Sequence, residues 1–508
     1  MKQKGTVYLI GAGPGDVGLL TVRGAELLAR ADVVVYDGLV NAELLRLAPA
    51  SAEVIYGGKH SERQAVPQTE LNRLLISKAE AGKTVVRLKG GDPYIFGRGG
   101  EEAEELAAAS VPFEVVPGVS SMAAVPNYAG IPLTHRGHCS SFTVLTGHED
   151  PNKEGSSIDW AQVATAPGTK VVLMGLKRIR EIAATLVAKG MASGTPVAMI
   201  RWGTTGRQQS IEGTLATIAD VAEETQFGAP TVTVIGDVVR LRSKLNWFEK
   251  RPLFGQRVVV TRAREQAGLL SRPLLDLGAD VLEVPTIKIA PPANKEDLKD
   301  AILGLHEYDW IVFTSANGVT TFFDYFFKAF DDLRDIGGVR IAAVGPGTAA
   351  KLQELHLKVD LMPEEALATR IASAFESYQS IENLRILLMR AEVANPELPR
   401  ALEKLGAIVD DVASYQTVAE TEDINGAAAR LVADGAEWII FTSASTVEHF
   451  HERFNLPDLL RKFPKARLAS IGPETSKAIA KLGLKAAVEA NPHTADGLIR
   501  AVCRATRN

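Results

Sequence analysis

The chain has 508 residues, 46% of them hydrophobic and 23% charged, with 56 Lys and Arg against 61 Asp and Glu for a net charge of −5. These proportions match globular domains and exclude a disordered or collagen-like chain, and at about 150 residues per domain the length predicts three or four domains. No basic block marks a nucleic-acid surface, and no apolar run approaches the roughly 18 residues that span a bilayer. The apolar run at 7–10 stops too early for a signal peptide. Two cysteines, Cys139 and Cys503, are too few for a disulfide framework. The expectation is a cytoplasmic protein with neither nucleic-acid nor membrane partners.

Short β-branched runs alternate with amphipathic helical stretches from end to end, the pattern of an α/β protein with parallel sheets and crossover helices. In the first half the sequence predicts strands over 6–10, 32–36, 84–89, 113–116, 142–146, 170–174, 196–200 and 231–235. Helices over 21–29, 69–81 and 101–109 fall between them. The stretch 246–255 carries Pro and Gly and breaks this rhythm, so the boundary is placed near 250: residues 1–247 form one domain, 248–255 a linker and 256–508 a second domain. Beyond the boundary the chain repeats itself. Trp310-Ile311-Val312-Phe313-Thr314-Ser315-Ala316 returns 128 residues later as Trp438-Ile439-Ile440-Phe441-Thr442-Ser443-Ala444, and Gly345-Pro346-Gly347-Thr348 returns as Gly472-Pro473-Glu474-Thr475. Two similar lobes facing one another form a cleft, a preferred ligand site.

The turn Gly11-Ala12-Gly13-Pro14-Gly15-Asp16 follows the first strand, which raises a dinucleotide site with Asp37 as the ribose ligand. Asp16 stands where the third glycine of that fingerprint belongs, and a carboxylate there repels a pyrophosphate. Two further turns, Lys89-Gly90-Gly91-Asp92-Pro93 and Pro117-Gly118-Val119-Ser120-Ser121, end the third and fourth predicted strands. Three such turns at carboxyl ends of parallel strands converge on one crevice. Its ligand must approach backbone closely and tolerate carboxylates. S-adenosylmethionine, a sulfonium cation without phosphate, meets both conditions. His135 and His138, three apart beside Cys139 on a loop after Pro132, lack the helical register that fixes two rings on one ion, so no metal site is expected.

The Gly11–Asp16 turn, Val34-Val35-Tyr36-Asp37, the run 86–102 from Val86 through Gly90-Gly91-Asp92-Pro93-Tyr94-Ile95-Phe96-Gly97-Arg98 to Glu102, Gly130-Ile131-Pro132-Leu133-Thr134-His135-Arg136 and Met174-Gly175 together resemble the S-adenosylmethionine uroporphyrinogen-III C-methyltransferases, over roughly 5–247. The resemblance implies a tetrapyrrole-methylase fold of two α/β lobes, a homodimer, and S-adenosylmethionine between the lobes. By matching positions Pro14, Gly90, Gly91, Asp92, Ile95, Ser120, Ser121, Met174, Gly203 and Thr231 would touch it, and Asp37 and Lys59 are the candidates for proton transfer. A polycarboxylate tetrapyrrole on a chain of net negative charge also needs a basic rim, for which Arg23, Lys59, Arg98, Arg136 and Lys177 are candidates.

In the second half, turns bearing Ser315, Thr348, Ser443 and Thr475 each precede a predicted helix, where hydroxyls and backbone N–H groups either cap the helix or bind anions. Taken alone, the duplicated unit suits a small-molecule binding or regulatory module. Val259-Val260-Thr261-Arg262, Phe313-Thr314-Ser315-Ala316-Asn317, Ser414-Tyr415-Gln416-Thr417-Val418 and the two Gly-Pro-x-Thr turns resemble uroporphyrinogen-III synthase over about 255–505. That resemblance implies one lobe from about 256–288 plus 418–505 and another from about 289–417, joined by two strands. It also implies loss of water from hydroxymethylbilane and ring closure. Tyr415 is then either the proton donor to the departing hydroxyl or a packed tyrosine at a strand end. Thr348, Ser443 and Thr475 would hold acetate and propionate groups, with Ser315 and the duplicated pair Arg262 and Arg390 beside them. The two resemblances reinforce each other, because the product of the second activity is the substrate of the first: a bifunctional tetrapyrrole enzyme is expected, with S-adenosylmethionine as methyl donor and no metal.

Overall fold

Along β1 (Val7–Gly11), Val7 and Leu9 pack on one side with Val33, Val35 and Val85, while Ile10 packs on the other with Val34, Val86 and Leu88. Alternate residues thus fill two separate cores, as expected of strands covered by helices on both faces. In the computed structural model, which describes residues 4–58, 67–151, 156–365, 370–423 and 425–507, β1, β2 (Val33–Tyr36), β3 (Glu53–Tyr56), β4 (Val85–Lys89) and β5 (Phe113–Val116) form a wholly parallel sheet in the order β3-β2-β4-β1-β5.

The second sheet contains β6 (Phe142–Thr146), β7 (Thr169–Leu173), β8 (Pro196–Arg201), β9 (Gln209–Thr214) and β10 (Thr231–Ile235), in the order β6-β7-β10-β8-β9. Here the expectation of parallel sheets throughout is corrected. Only β6 and β7 are parallel; β10 inserts antiparallel between β7 and β8, and β8 and β9 form an antiparallel pair. The reversed β10 has a consequence for the site. Its first residue Thr231 lies opposite Arg201, and Val232 opposite Leu173, so the start of β10 meets the ends of β7 and β8. The sequence reading also missed β3 and β9. Both are edge strands without a buried residue, β9 with no apolar run and β3 with only Val54-Ile55-Tyr56.

The C-terminal half lays down β11 (Arg257–Val260) and β12 (Asp280–Glu283), then crosses to a further sheet for β13 (Ile287–Ala290), β14 (Trp310–Phe313), β15 (Arg340–Ala343), β16 (Arg385–Ala391) and β17 (Ile408–Ala419). It returns for β18 (Trp438–Phe441), β19 (Arg467–Ser470) and β20 (Val488–Glu489). The two sheets run β12-β11-β18-β19-β20 and β13-β17-β16-β14-β15. β13 pairs antiparallel with the last four residues of β17, Gln416 to Ala419, and these two strands carry the chain between the lobes. The duplication extends to packing: Trp310 and Trp438 are fully buried, and Arg340 and Arg467 stand over their rings at 4.6 and 4.0 Å. Among the described residues no helix is long and apolar enough to cross a membrane.

The segment expected as a linker is folded into the body. Phe248 and Leu253 are buried, the Tyr128 ring lies 5.0 Å from Trp247 and 4.9 Å from Phe248, and Arg251 stands over Trp247. Glu249 ties this seam to the methylase-like half by accepting from Arg242, Gln208, Ser210 and Asn246 at 2.7–2.9 Å. Further along the same contact, Arg46 pairs with the buried Glu283, and Gly206 packs so tightly against Ala279 and Asp280 that no Cβ would fit. Next to Gly206, the Arg207 guanidinium stacks on Trp202 at 3.8 Å, and burial, with Arg430 nearby, pushes its pKa down to about 10.

Burial raises the Glu249 pKa, but the hydrogen bonds from Arg242, Gln208, Asn246 and Ser210 outweigh it and leave the group below its ordinary 4.5. A carboxyl whose folded pKa is depressed contributes stability that is present above its unfolded pKa and lost as pH falls through the folded one. The melting temperature should therefore decline below about pH 4.5, and Glu249→Gln should show a shallower decline from a lower starting value. Calorimetric melts across pH 3–7 check this.

Candidate active sites

The three glycine-rich turns do meet. A Cβ on Gly11 would lie 2.5 Å from the Gly118 Cα, and one on Gly118 would lie 2.3 Å from the Gly91 carbonyl oxygen and 2.6 Å from the Gly11 Cα. Only glycine permits this approach. Gly13 and Gly91 exchange backbone hydrogen bonds of 3.2 and 2.8 Å, with Gly91 in the left-handed region at φ 68°. Asp92 Oδ1 accepts from the Tyr94 N–H at 2.8 Å and Oδ2 from the Gly118 N–H at 3.0 Å, fastening the second turn to the third. Ser120 caps the helix Ser121–Tyr128 by accepting from the Met122 N–H. Asp16, which the sequence reading set facing the ligand, has both oxygens engaged: Gly18 N–H donates to one at 2.7 Å and the Tyr128 hydroxyl to the other at 2.9 Å. Burial, and then Asp16, raise the Tyr128 pKa above its ordinary value.

The second lobe closes the crevice. Gly15 packs against Thr204 and Thr205, the Asp16 N–H donates to Thr204 Oγ1 at 3.1 Å, and Gly203 packs against Val125 of the helix that Ser120 caps. Met174 follows β7 with φ 57° and is half exposed, and buried Thr231 donates to the Gly228 carbonyl at 2.7 Å. Of the ten residues expected at the cofactor, Gly91, Asp92 and Ser120 lie on the turns that meet, and Gly203 packs against the helix that Ser120 caps; Pro14, Gly90, Ile95 and Ser121 neighbour those turns in sequence, Met174 follows β7 and Thr231 opens β10. Asp37 follows β2, paired with Arg87 at 2.5 Å. Lys59 lies outside the described residues. Of the rim candidates, Arg23 is held by Glu114 at 3.0 Å and Arg98 by Glu101 at 2.7 Å, while Arg136 and Lys177 are exposed. Sequence reasoning missed Arg87, Lys89 and Glu102, which form a buried ion cluster with Asp37. Two charges inside the otherwise apolar strand 84–89 were the signal for it.

In the C-terminal half, Ser315 accepts from the Gly318 N–H as a helix cap and donates its own hydroxyl to the Tyr415 phenol oxygen at 3.0 Å. Tyr415 is 8% exposed, on β17 just before the crossing to the other lobe. Ser443 caps its helix reciprocally with Thr446. Thr348 and Thr475, expected to hold acetate and propionate groups, are the third residues of the helices Pro346–Glu354 and Pro473–Lys481 and are buried there, leaving little side-chain surface for a ligand. The duplicated arginines have diverged. Arg390 is committed to Asp411 and the Asn395 carbonyl. Arg262 reaches Gln266 at 2.9 Å, burial lowers its pKa, and among the described residues no carboxylate lies within ion-pairing distance. Gln266 in turn donates to Asn317 of the other lobe, so a polar chain Arg262–Gln266–Asn317 spans the cleft. Neither Gln266 nor Asn317 was singled out from sequence, because their pairing is a property of the closed lobes.

His135 and Cys139 bridge a tight turn, with the His135 and His138 rings 5.0 Å apart. Among the described residues no group of three or more His, Cys, Asp or Glu is arranged to hold a metal ion.

A turn-lined crevice between two α/β lobes, followed by a duplicated two-lobed unit, defines a tetrapyrrole-methylase domain fused to a synthase-type domain. The comparisons with known proteins agree. The family model for tetrapyrrole (corrin/porphyrin) methylases matches residues 6–219, and that for uroporphyrinogen-III synthase HemD matches 269–500. A porphyrin biosynthesis protein HemD from Ruminiclostridium josui is 39% identical over 501 residues, 98% of this chain and 97% of that one. An S-adenosyl-L-methionine-dependent uroporphyrinogen III methyltransferase from Methanosarcina barkeri is 53% identical over 241 residues, 47% of this chain and 94% of its own. The solved uroporphyrin-III C-methyltransferase of Thermus thermophilus is 40% identical, with a TM-score of 0.40, over 47% of this chain and 94% of that one. The chain belongs to the family of porphyrin biosynthesis proteins in which a tetrapyrrole methylase and a uroporphyrinogen-III synthase are fused.

The crowding of the three turns is testable. Gly118→Ala should cost about 1–3 kcal/mol through overpacking against backbone, measured by urea unfolding. Gly100→Ala, where nothing lies within 4 Å of the added Cβ, should cost nothing.

Proposed function

We propose that the two halves catalyse consecutive steps: the C-terminal half dehydrates and cyclises hydroxymethylbilane to uroporphyrinogen III, and the N-terminal half transfers two methyl groups to it, giving precorrin-2 for sirohaem or cobalamin. The observation that carries the reading is the presence, on one packed chain, of a crevice floored by side-chain-free turns and of a cleft between duplicated lobes. Bound S-adenosylmethionine supplies an electrophilic methyl group on a sulfonium. The residues present fit it. The turns at Gly11, Gly91 and Gly118 meet through backbone rather than side chains, in keeping with a ligand that approaches backbone closely, and the carboxylates of Asp16 and Asp92 on those turns favour a cation over a phosphate.

In the crevice the protein aligns the donor with an electron-rich pyrrole carbon and receives the proton that the methylated ring sheds. Asp37, partly exposed at the crevice rim, is the acceptor, and Lys59, the resemblance's second proton-transfer residue, is its partner in the proposal. In the cleft the departing hydroxyl of hydroxymethylbilane needs a proton. Tyr415 is the donor, its phenol oriented by the hydrogen bond from Ser315. Arg262, a half-buried cation with no carboxylate partner among the described residues, binds the substrate's carboxylates, and the helix N-termini capped by Ser315 and Ser443 assist. Arg98 and Arg136 serve the methylase rim. A homodimer formed through the methylase half and a cytoplasmic location complete the proposal; both cysteines are free, in keeping with a reducing compartment.

The purified protein should convert hydroxymethylbilane to the type III isomer without S-adenosylmethionine, and to precorrin-2 with it. Formation of type I product alone would leave the C-terminal half as a binding module. Asp37→Asn should lower methylation about 10²- to 10⁴-fold while the synthase rate stays near wild type. Tyr415→Phe removes one hydroxyl and keeps the buried ring, so it should reduce the type III rate without unfolding the domain; isomer-resolved chromatography after oxidation to porphyrins reads this. An unchanged rate and unchanged isomer ratio would remove Tyr415 from the mechanism.

A further inference from the structure

β4 is the central strand of a sheet buried on both faces, and Val86 and Leu88 fill the core on one of them. The opposite face carries Arg87 and Lys89, each only 3% exposed. The helix Gly99–Ala108 sets Glu102, 1% exposed, against both. Glu102 Oε1 accepts from Lys89 Nζ at 2.9 Å, Gln68 Nε2 at 3.1 Å and Arg87 Nε at 3.2 Å. The other side of the Arg87 guanidinium donates to Asp37 Oδ1 at 2.5 Å. Among the described residues Glu102 Oε2 is buried without a hydrogen-bond partner.

Two cations and the carboxylate of Glu102 are thus buried together, with Asp37 partly exposed at one end of the set. Desolvation costs several kcal/mol per ion, and apolar residues of similar volume often serve stability as well or better. Stability alone therefore does not account for the cluster. Its contacts run in one direction, from Lys89 and Gln68 through Glu102 and Arg87 to Asp37, whose side chain is 30% exposed, far more than those of Arg87, Lys89 and Glu102. A planar guanidinium held by two carboxylates cannot rotate without releasing one of them. Burial, and then Arg87, lower the Lys89 pKa, and Glu102, followed by Asp37, opposes them.

We propose that Glu102 is a positioning residue for methyl transfer: by pinning the Arg87 guanidinium it fixes the Asp37 carboxylate at the rim of the crevice. This rests on the reading of Asp37 as the proton acceptor. Glu102→Gln keeps the shape and removes the charge. It should lower the methylation kcat by about tenfold or more, since misplacing a reacting group by about 1 Å can cost 10²-fold. The KM for S-adenosylmethionine, calorimetric binding of S-adenosylhomocysteine and the synthase rate should stay unchanged. In the Asp37→Asn background, Glu102→Gln should add no further loss, because the group it positions is gone. A wild-type kcat in Glu102→Gln, or the same fold loss in both backgrounds, would overturn the proposal. Asp37→Asn with undiminished methylation would instead overturn the reading of Asp37, and this inference with it. If melting shows Glu102→Gln unfolded, Arg87→Lys takes its place, since it keeps the charge but a single ammonium cannot bridge both carboxylates. The same split between kcat and KM is then expected, and its absence overturns the proposal.

Discussion

Backbone-to-backbone contact among the turns at Gly11, Gly91 and Gly118 is the constraint on which the methylase half is built. Gly11 and Gly118 come together at distances that leave no space for a Cβ, and Gly91, at φ 68°, sets its carbonyl against both, so the turns meet through peptide rather than side chain. Everything with chemistry on it must then stand at the margins. Asp92 is consumed in fastening two of the turns, and Asp37 reaches the margin from the neighbouring strand only with Arg87 holding it. The reversed β10 completes the other wall by bringing Thr231 to the ends of β7 and β8.

The same tight packing continues outward into the second half. Gly15 rests on Thr204 and Thr205, Gly206 rests on Ala279 and Asp280, and Arg46 pairs with Glu283. The loops that wall the methylase crevice are thereby the loops that the synthase half packs against. The fusion is a joined body with a buried aromatic and ionic seam around Phe248 and Glu249, rather than two domains on a tether.

What the sequence made legible follows from where each signal resides. Strands buried on both faces announce themselves as apolar runs, and the predicted strands of the first half fall on β1, β2, β4 to β8 and β10. β9 carries no such run and β3 only the short Val54-Ile55-Tyr56, and an antiparallel insertion leaves no mark in local periodicity, so pairing direction was misread in the second sheet. The glycine turns and the 128-residue repeat were visible because they are local patterns. The partners were not. Glu102 under Arg87, Glu249 under Arg242 and Gln266 facing Asn317 are long-range pairings that depend on how the elements pack. Charges at 87 and 89 within an apolar strand were the one local clue to a buried cluster.

In the synthase half, the repeat shows where function departs from architecture. Features that only support the fold are duplicated faithfully: the stacked Trp310 and Trp438 and the capping Ser315 and Ser443. At the carboxyl ends of the strands the copies diverge. The counterpart of Asp411 is Glu283, which pairs with Arg46 instead, so Arg262 has no ion-pair partner among the described residues; Gln266 and Asn317 answer to Ala394 and Ser445, and Tyr415 answers to Ile287. A perfectly symmetric cleft would present equivalent surfaces to the two ends of a linear tetrapyrrole and could not distinguish them. Ring closure with inversion of one terminal ring demands that distinction. The divergence leaves a half-buried cation on one lobe and a buried phenol on the strand that links them, so the two copies of the duplicated unit present unlike surfaces where the lobes meet.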